Sequence, residues 1–166
     1  MARNKFNARH YAVCRRCGAS LPLAPKKAAA GATLQGDVWI TPGGELLMAR
    51  EPEACPSCGE AWDGFVADSG AEARRYATLL TLRQAGQIAD LMVHPRYVIA
   101  PAFRDRSGAY HRGREYEGDF QYREGHRLVV EDVKGVRTEL FDLKAHCLML
   151  RYPQLEFRVV PAEDVE

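Results

Sequence analysis

No apolar run in the 166-residue sequence approaches the ~18 residues that a membrane-spanning helix requires. The basic start, Met1 to Lys5, is not followed by an apolar segment, so the pattern of a secretory signal peptide is also missing. These absences exclude a membrane partner at the level of the sequence. They predict a globular protein of the cytoplasm.

Acidic residues are absent before Asp37, although seven lysines and arginines occur in that stretch. A second basic stretch, residues 104–114, contains one acidic residue, Asp105, and four arginines: Arg104, Arg106, Arg112 and Arg114. Basic clusters of this kind can bind DNA phosphates. They are also typical of a solvated tail and a solvated hairpin, and the charge pattern by itself does not distinguish these readings.

Cysteine is scarce, and four of the five cysteines form two CxxC pairs, Cys14–Cys17 and Cys55–Cys58. A glycine follows each pair, as in zinc knuckles, where a tight turn directs two thiolates to one tetrahedral Zn²⁺. The 37 residues between the pairs exceed the usual ~15–20. A predicted hairpin, residues 38–48, would occupy this gap. Disulfides are the alternative, but a cytoplasmic location favours structural zinc.

The regular elements begin near residue 68. Ser69 and Glu72 form a capping-box pattern that predicts a helix to about Ala85. Apolar patterns and turn residues predict five strands and a second helix, at residues 88–93, 97–103 (interrupted at Pro101), 115–123, 127–136, 138–151 (the helix) and 155–160. Apart from the short strand at residues 88–93, the order is helix, three strands, helix, strand, a small layered α/β or α+β fold. Residues 1–61 are predicted to form a basic arm and zinc-ribbon module, and residues 62–166 the main domain.

Two residues apart on one predicted strand, Asp132 and Lys134 point to the same face as Val130. Glu131 points to the other face. Asp119 lies in the preceding predicted strand, where a hairpin would bring it opposite Asp132. Charged groups in the middle of a sheet cost free energy unless they are paired or bound to a metal.

Such a set is suited to phosphodiester hydrolysis. Two carboxylates can hold Mg²⁺ or Mn²⁺, and a neighbouring lysine can orient water and offset negative charge. Glu72 could complete the set, because it shares a helix face with Tyr76 and Leu79. The alternatives are an ordinary Asp132–Lys134 ion pair on a solvated face and a Glu72 that only caps its helix.

The spacing of Asp119, twelve residues, and Asp132-Val133-Lys134, after a helix bearing Glu72, resembles the PD-(D/E)XK nuclease superfamily. The segments 63–65, 68–76, 90–91, 116–120 and 130–135 are similar to small phage-encoded nucleases, and the Glu, Asp, Asp-x-Lys arrangement resembles archaeal-type Holliday-junction resolvases. The resemblance covers roughly residues 62 to 160. There are two departures: Gly118 stands where the motif has its proline, and Glu131 offers a rival carboxylate, although strand alternation favours Asp132.

This resemblance implies a restriction-endonuclease-like core with a zinc-ribbon insert. It implies that Asp119, Asp132 and the Val133 carbonyl bind catalytic metal, that Glu72 supports them, and that Lys134 acts on water or phosphate. The expected function is a Mg²⁺-dependent structure-selective DNA endonuclease, with four-way junctions favoured and a homodimer expected from the two-fold symmetry of a junction. A phage origin would place it in the bacterial host cytoplasm.

Two alternatives remain for the function: a phage nuclease that cuts or nicks duplex or flap DNA, and a non-catalytic zinc-ribbon DNA-binding protein. Several basic residues are candidates for DNA contact. They are Arg15 and Arg16 in the first knuckle, Lys144 on the second helix, and the four arginines 104, 106, 112 and 114. Cys147 is expected to be a core residue of the second helix.

Overall fold

A computed structural model of the protein describes residues 10–24 and 31–165. Within these ranges the chain is a mixed α+β protein with fourteen mostly short strands and two α-helices. It divides into two compact units, one ending at Leu80 and the other running from Thr81 to Val165. The basic arm of residues 3–9 and Lys26 and Lys27 fall outside the described residues. No helix in the described ranges is long and apolar enough to cross a membrane.

The first unit contains two small antiparallel sheets. One has the order β2-β1-β6 and the other the order β3-β4-β5. Their strands are β1 (Tyr11–Cys14), β2 (Ser20–Pro22), β3 (Thr33–Gln35), β4 (Val38–Ile40), β5 (Leu46–Met48) and β6 (Gly64–Ala67). The pairing of β4 with β5 confirms the predicted hairpin. The pairing of β1 with β6 joins residues on both sides of the predicted 61/62 boundary.

Helix α1 (Gly70–Gln84) begins and ends where the sequence predicts. The Ser69 hydroxyl accepts a hydrogen bond from the Glu72 backbone N–H at 3.1 Å, which caps an otherwise unpaired donor of the first turn. Gly86, at φ +71°, follows the helix end, and this left-handed conformation suits glycine. Glu72, Tyr76 and Leu79 are all buried, which confirms the predicted inward face.

The second unit is built on a mixed four-stranded sheet of order β14-β13-β12-β7. Its strands are β7 (Ala89–Val93), β12 (Phe120–Glu124), β13 (Arg127–Lys134) and β14 (Leu155–Pro161). The strands β12 and β13 form the predicted hairpin, with Gly125 at φ +59° in the turn. The strands β13 and β14 are parallel, and α2 (Glu139–Arg151) makes the crossover that a parallel pair needs.

A long interrupted hairpin accompanies this sheet. Its inner part pairs β8 (Arg96–Ala100) with β11 (Arg114–Glu117), and its outer part pairs β9 (Phe103–Arg104) with β10 (Tyr110–His111). The break between β8 and β9 lies at Pro101, as predicted, because proline cannot donate a ladder hydrogen bond.

One predicted strand, residues 115–123, is wrong because the chain changes partners at Gly118 and Asp119. Before this point β11 pairs with β8, and after it β12 pairs with β7 and β13. Glycine is suited to position 118, where the chain changes partners, because an added Cβ would lie only 2.9 Å from Val130 Cγ1. Asp119 therefore occupies a junction between strands.

The described core of the second unit centres on Tyr116, Val130 and Leu148, with the rings of Phe141 and Phe157 packed against it. Thr138 caps α2 as predicted, accepting a hydrogen bond from Phe141 N at 3.2 Å. The prediction that Cys147 is a core residue is wrong. It is half-buried, and Leu143 and Leu150, one turn before and after it, are 60% and 75% exposed.

Candidate functional site

Asp119 is held at its strand junction by backbone hydrogen bonds on both sides. Its N–H donates to the Glu131 carbonyl at 3.0 Å, and its carbonyl accepts from the His94 N–H at 3.0 Å. Its side-chain Oδ2 accepts from the Val133 backbone N–H at 2.6 Å. The carboxylate is thereby fixed against the end of β13.

Asp132 is almost completely buried, with 2% of its surface exposed. The Tyr116 hydroxyl donates a hydrogen bond to its Oδ2 at 2.6 Å, and Lys134 Nζ lies 2.5 Å from its Oδ1. That contact is an ion pair without hydrogen-bond geometry. Among the buried side-chain oxygen and nitrogen atoms of the described residues, Asp132 Oδ1 alone has no hydrogen-bond partner.

Lys134 lies two residues beyond Asp132 on the same face of β13, as predicted. Its side chain is 31% exposed, so the ammonium group is at the edge of the buried region. Nζ is 5.1 Å from the centroid of the Phe141 ring at the start of α2. A cation over an aromatic face is favourable, and this contact orients the lysine toward Asp132.

The hydroxyl of Tyr116 lies within the electrostatic influence of both aspartates. Burial raises the pKa of Tyr116 well above its usual value, and the negative charges of Asp132 and Asp119 raise it further. We call Tyr116, Asp119, Asp132 and Lys134 the carboxylate site. It presents two carboxylates and one ammonium group, and its oxygen donors match those that Mg²⁺ and Mn²⁺ accept.

Glu131 lies on the opposite face of β13, as strand alternation predicts. It is fully buried, and the Tyr122 hydroxyl donates a hydrogen bond to its Oε1 at 2.5 Å. Arg158 in turn donates to that hydroxyl at 3.0 Å. The carboxylate of Glu131 therefore belongs to a separate buried network.

Glu72 belongs to the first unit, near the start of α1. Its carboxylate Oε2 accepts a hydrogen bond from the Asp68 backbone N–H at 2.8 Å, and its side chain is buried. These contacts show that Glu72 caps the start of α1. Its catalytic role stays a prediction.

The four cysteines of the two CxxC pairs converge in the first unit. Their sulfur atoms all lie within 4.8 Å of one another, and none of them forms a disulfide. The two turns are alike: Gly18 N donates to the Cys14 carbonyl and Gly59 N to the Cys55 carbonyl, at 2.9 and 2.8 Å. This is the predicted pair of knuckles, and it could hold a metal ion such as zinc.

Glycine is required after the first knuckle for two reasons. Gly18 has φ +75°, which is unfavourable for other residues. An added Cβ would also lie 3.2 Å from Ala77 Cα of α1. The first knuckle is thereby packed directly onto the helix.

The ionisation of the thiols also fits a cation. Hydrogen bonds from the backbone N–H groups of Cys58 and Ser57 lower the pKa of Cys55 to about 7. For Cys17 the Ala19 N–H has a lowering effect, but burial and the neighbouring thiols outweigh it and raise the pKa to about 12. Four thiolates at this spacing repel one another, and a bound cation would remove that repulsion.

The predicted DNA-contacting residues have different surroundings. Arg15 lies 3.7 Å from Asp63 and Arg16 lies 3.5 Å from Glu60, so each has an acidic neighbour in its own unit. Lys144 is exposed on α2, one turn after Phe141. Four further candidates are exposed on the interrupted hairpin: Arg104, Arg106, Arg112 and Arg114.

Two contributors to the carboxylate site had no signal as site residues in the sequence. In the sequence, Tyr116 looks like any aromatic core residue of a strand. Its role becomes visible only in the structure, through its hydrogen bond to Asp132. His94 holds the Asp119 carbonyl through its backbone N–H and has φ +51°. A left-handed backbone in a residue other than glycine cannot be read from side-chain pattern.

Fold and site together define a mixed α+β protein with a four-cysteine cluster and a buried carboxylate–lysine site. The chain belongs to a family of proteins of unknown function, DUF1064, whose model matches residues 60–163. Comparisons with curated proteins and with solved structures give no match.

Proposed function

We propose that the protein is a Mg²⁺-dependent DNA endonuclease of the PD-(D/E)XK type with a restriction-endonuclease-like core. The observation that carries the proposal is the state of Asp132. A carboxylate that is 2% exposed, next to Lys134 and with one oxygen lacking a hydrogen bond, is costly to bury. Such groups are concentrated at functional sites, where a ligand or metal completes their coordination.

The carboxylate site fits a divalent cation by its donors. Asp132 Oδ1 accepts no hydrogen bond and is paired with the ammonium group of Lys134, and the second carboxylate, Asp119, is fixed by Val133 N–H. The N–H and carbonyl of one strand residue point to the same edge, so the Val133 carbonyl is expected beside Asp119, as the resemblance implies. When bound, Mg²⁺ would supply positive charge that polarises the scissile phosphate and a coordinated water.

Each residue of the carboxylate site then has a distinct role. Asp119 and Asp132 hold the cation, and the Tyr116 hydroxyl fixes the orientation of Asp132 through its 2.6 Å hydrogen bond. The ammonium group of Lys134 lies at the partly exposed edge of the site, where it can contact a phosphate oxygen or the attacking water. This lysine offsets the negative charge that develops on the phosphate in the transition state.

We propose structural Zn²⁺ for the four-cysteine cluster. Four sulfur ligands within one small volume match the closed tetrahedral coordination of structural zinc sites. The ion would connect the two knuckles, which are separated by 37 residues in the chain, and so stabilise the first unit.

The favoured substrate is a four-way DNA junction, and a homodimer would supply the paired cuts that such a junction requires. A decisive experiment compares cleavage of a four-way junction, a flap and a linear duplex that share the same arms, each with Mg²⁺ and with EDTA. Paired symmetric cuts in the junction alone are expected. Equal cleavage of all three substrates would exclude junction resolution but keep the nuclease, and no Mg²⁺-dependent cleavage of any would exclude the nuclease itself.

A further inference from the structure

The outer part of the interrupted hairpin, which we call the aromatic hairpin (residues 103–111), exposes large aromatic side chains. Phe103 is 56% and Tyr110 is 61% exposed. In the β9–β10 pairing, His111 lies opposite Phe103 and Arg104 lies opposite Tyr110. Because side chains alternate along a strand, these two pairs lie on opposite faces of the ribbon. One face therefore carries the rings of Phe103 and His111, and the other carries the ring of Tyr110 beside Arg104.

The rings on both faces already make stacking or cation–π contacts with a neighbouring side chain. The rings of Phe103 and His111 are stacked, with centroids 4.6 Å apart and planes 10° from parallel. On the other face, the Arg104 guanidinium lies 5.7 Å from the centroid of Tyr110. Planar aromatic and guanidinium surfaces of this kind are those on which nucleobases stack.

Side-chain hydrogen bonds of Asp105 hold the turn between β9 and β10. Asp105 Oδ1 accepts hydrogen bonds from the backbone N–H groups of Ser107 and Ala109 at 2.8 and 3.0 Å. Its Oδ2 is 2.8 Å from His111 Nε2, and these partners, His111 first, lower the pKa of Asp105 to about 2. The single acidic group of the aromatic hairpin is thus used within the turn, so the rings are presented by a fixed scaffold.

The surrounding charge is complementary to a polyanion. Arginines 104, 106, 112 and 114 are exposed on and directly after the aromatic hairpin. Exposed rings alone would suit many partners, but rings bordered by arginines suit nucleic acid, where cations bind phosphates and rings bind bases. Bases within an intact duplex are already stacked on each other, whereas unpaired bases offer free faces.

We propose that the aromatic hairpin stacks on unpaired bases at a branch or single-stranded arm of DNA. This inference rests on the proposed nuclease function and supplies its selectivity for branched substrates. The return strand of the hairpin runs from Tyr110 to Tyr116, a residue of the carboxylate site. Because β10 and β11 are separated by a break, these six residues reach at most on the order of 20 Å, which corresponds to about six nucleotides. Cleavage is therefore expected within about six nucleotides of the branch point.

The test measures DNA binding by the full chain with Ca²⁺ in place of Mg²⁺. Three labelled probes are compared: a duplex, the same duplex with unpaired arms, and a fork whose arms are abasic. The abasic arms keep the phosphates and remove the bases. The wild-type protein should bind the intact fork roughly tenfold more tightly than the abasic fork. A Phe103→Ala, Tyr110→Ala double variant should lose this difference and bind the plain duplex as the wild type does.

Controls separate stacking from folding. Phe103→Tyr with Tyr110→Phe keeps both rings and should retain the preference, and Leu150→Ala removes an exposed apolar side chain elsewhere and should also retain it. Equal wild-type affinity for intact and abasic forks would overturn the inference, as would a preference that survives in the double alanine variant. Because binding is measured without cleavage, a failure of the nuclease proposal would appear separately, as inactivity in Mg²⁺.

Discussion

Asp119 and Val133, fourteen residues apart, are joined by a 2.6 Å hydrogen bond from the Val133 backbone N–H to Asp119 Oδ2. The last residue of β13 that pairs with β12 is Glu131. Beyond it, the side chain of Asp119 replaces a strand as the acceptor for the β13 backbone. The same bond places a carboxylate at the backbone of Val133, the residue after Asp132, so the geometry that ends the pairing also contributes to the carboxylate site.

Asp132→Asn is predicted to lower the rate of Mg²⁺-dependent DNA cleavage by at least about 100-fold, a loss comparable to that of other charge-stabilising groups in active sites. The amide has nearly the same shape but loses the negative charge that holds the cation. DNA affinity should change little, because phosphate contacts lie elsewhere. Single-turnover cleavage and binding in Ca²⁺ measure the two effects.

Glu131→Gln is the matched control for this change. It also neutralises a buried carboxylate of β13, but on the opposite face, where the amide oxygen can still accept from Tyr122. Cleavage should stay near the wild-type rate. A large loss of cleavage in Glu131→Gln together with a normal rate in Asp132→Asn would place the metal on the Glu131 face of β13. That result would refute the proposed metal-binding role of Asp132.

Tyr116→Phe is predicted to lower the free energy of unfolding by about 1.5–3 kcal/mol near neutral pH, because the buried carboxylate of Asp132 loses a donor. The variant should also alter the response to alkali. Burial and then the charge of Asp132 raise the pKa of Tyr116 in the folded protein. The unfolded chain therefore releases this proton at lower pH, near 10, and wild-type stability falls as the pH rises above that value.

Chemical denaturation at a series of pH values measures this dependence. One linked proton corresponds to a slope of about 1.4 kcal/mol per pH unit, so Tyr116→Phe should show a shallower alkaline decline by up to that amount. Parallel declines in the two proteins would contradict the assignment of Tyr116 as a phenol held protonated beside Asp132.

Strand alternation is sufficient to predict the chemistry of β13 but not its surroundings. The two-residue period places Asp132 and Lys134 on one face and Glu131 on the other, and both placements are correct. The same reasoning extends one strand through Gly118 and Asp119, where the chain in fact changes partners. Periodicity describes which face a side chain takes, whereas the neighbour of a strand depends on distant segments.

Short and irregular elements show the same limit. The turn residues Pro42-Gly43-Gly44 predict the hairpin around them, but β3 beside it has no such signal in the sequence. The prediction of Cys147 as a core residue fails because α2 has apolar residues on more than one face. Helical period alone does not decide which apolar face is covered, and the structure leaves Leu143 and Leu150 exposed.

Purified protein is predicted to contain about one zinc ion per chain. Cys14→Ser or Cys55→Ser should lose the zinc, because either change removes one of four sulfur ligands that lie within 4.8 Å of one another. Cys147→Ser, a cysteine outside the cluster, should retain it. Elemental analysis measures the metal, and a thiol reagent measures cysteine reactivity under native conditions. Zinc-free wild-type protein with four freely reactive cluster thiols would refute the assignment.

The arginines that follow the aromatic hairpin are predicted to hold DNA through its phosphates. Arg112 and Arg114 are exposed, and β11, which begins at Arg114, also carries Tyr116 of the carboxylate site. Changing both arginines to glutamine should weaken binding and reduce the slope of log affinity against log salt by roughly one for each phosphate that is no longer neutralised.

Arg151→Gln, which removes an exposed arginine at the end of α2, is the matched control and should leave the slope unchanged. Because the change leaves Asp119 and Asp132 in place, cleavage at saturating protein should fall far less than in Asp132→Asn. An unchanged affinity and salt slope would exclude these arginines as the DNA-binding residues and direct attention to Lys144 and the first knuckle.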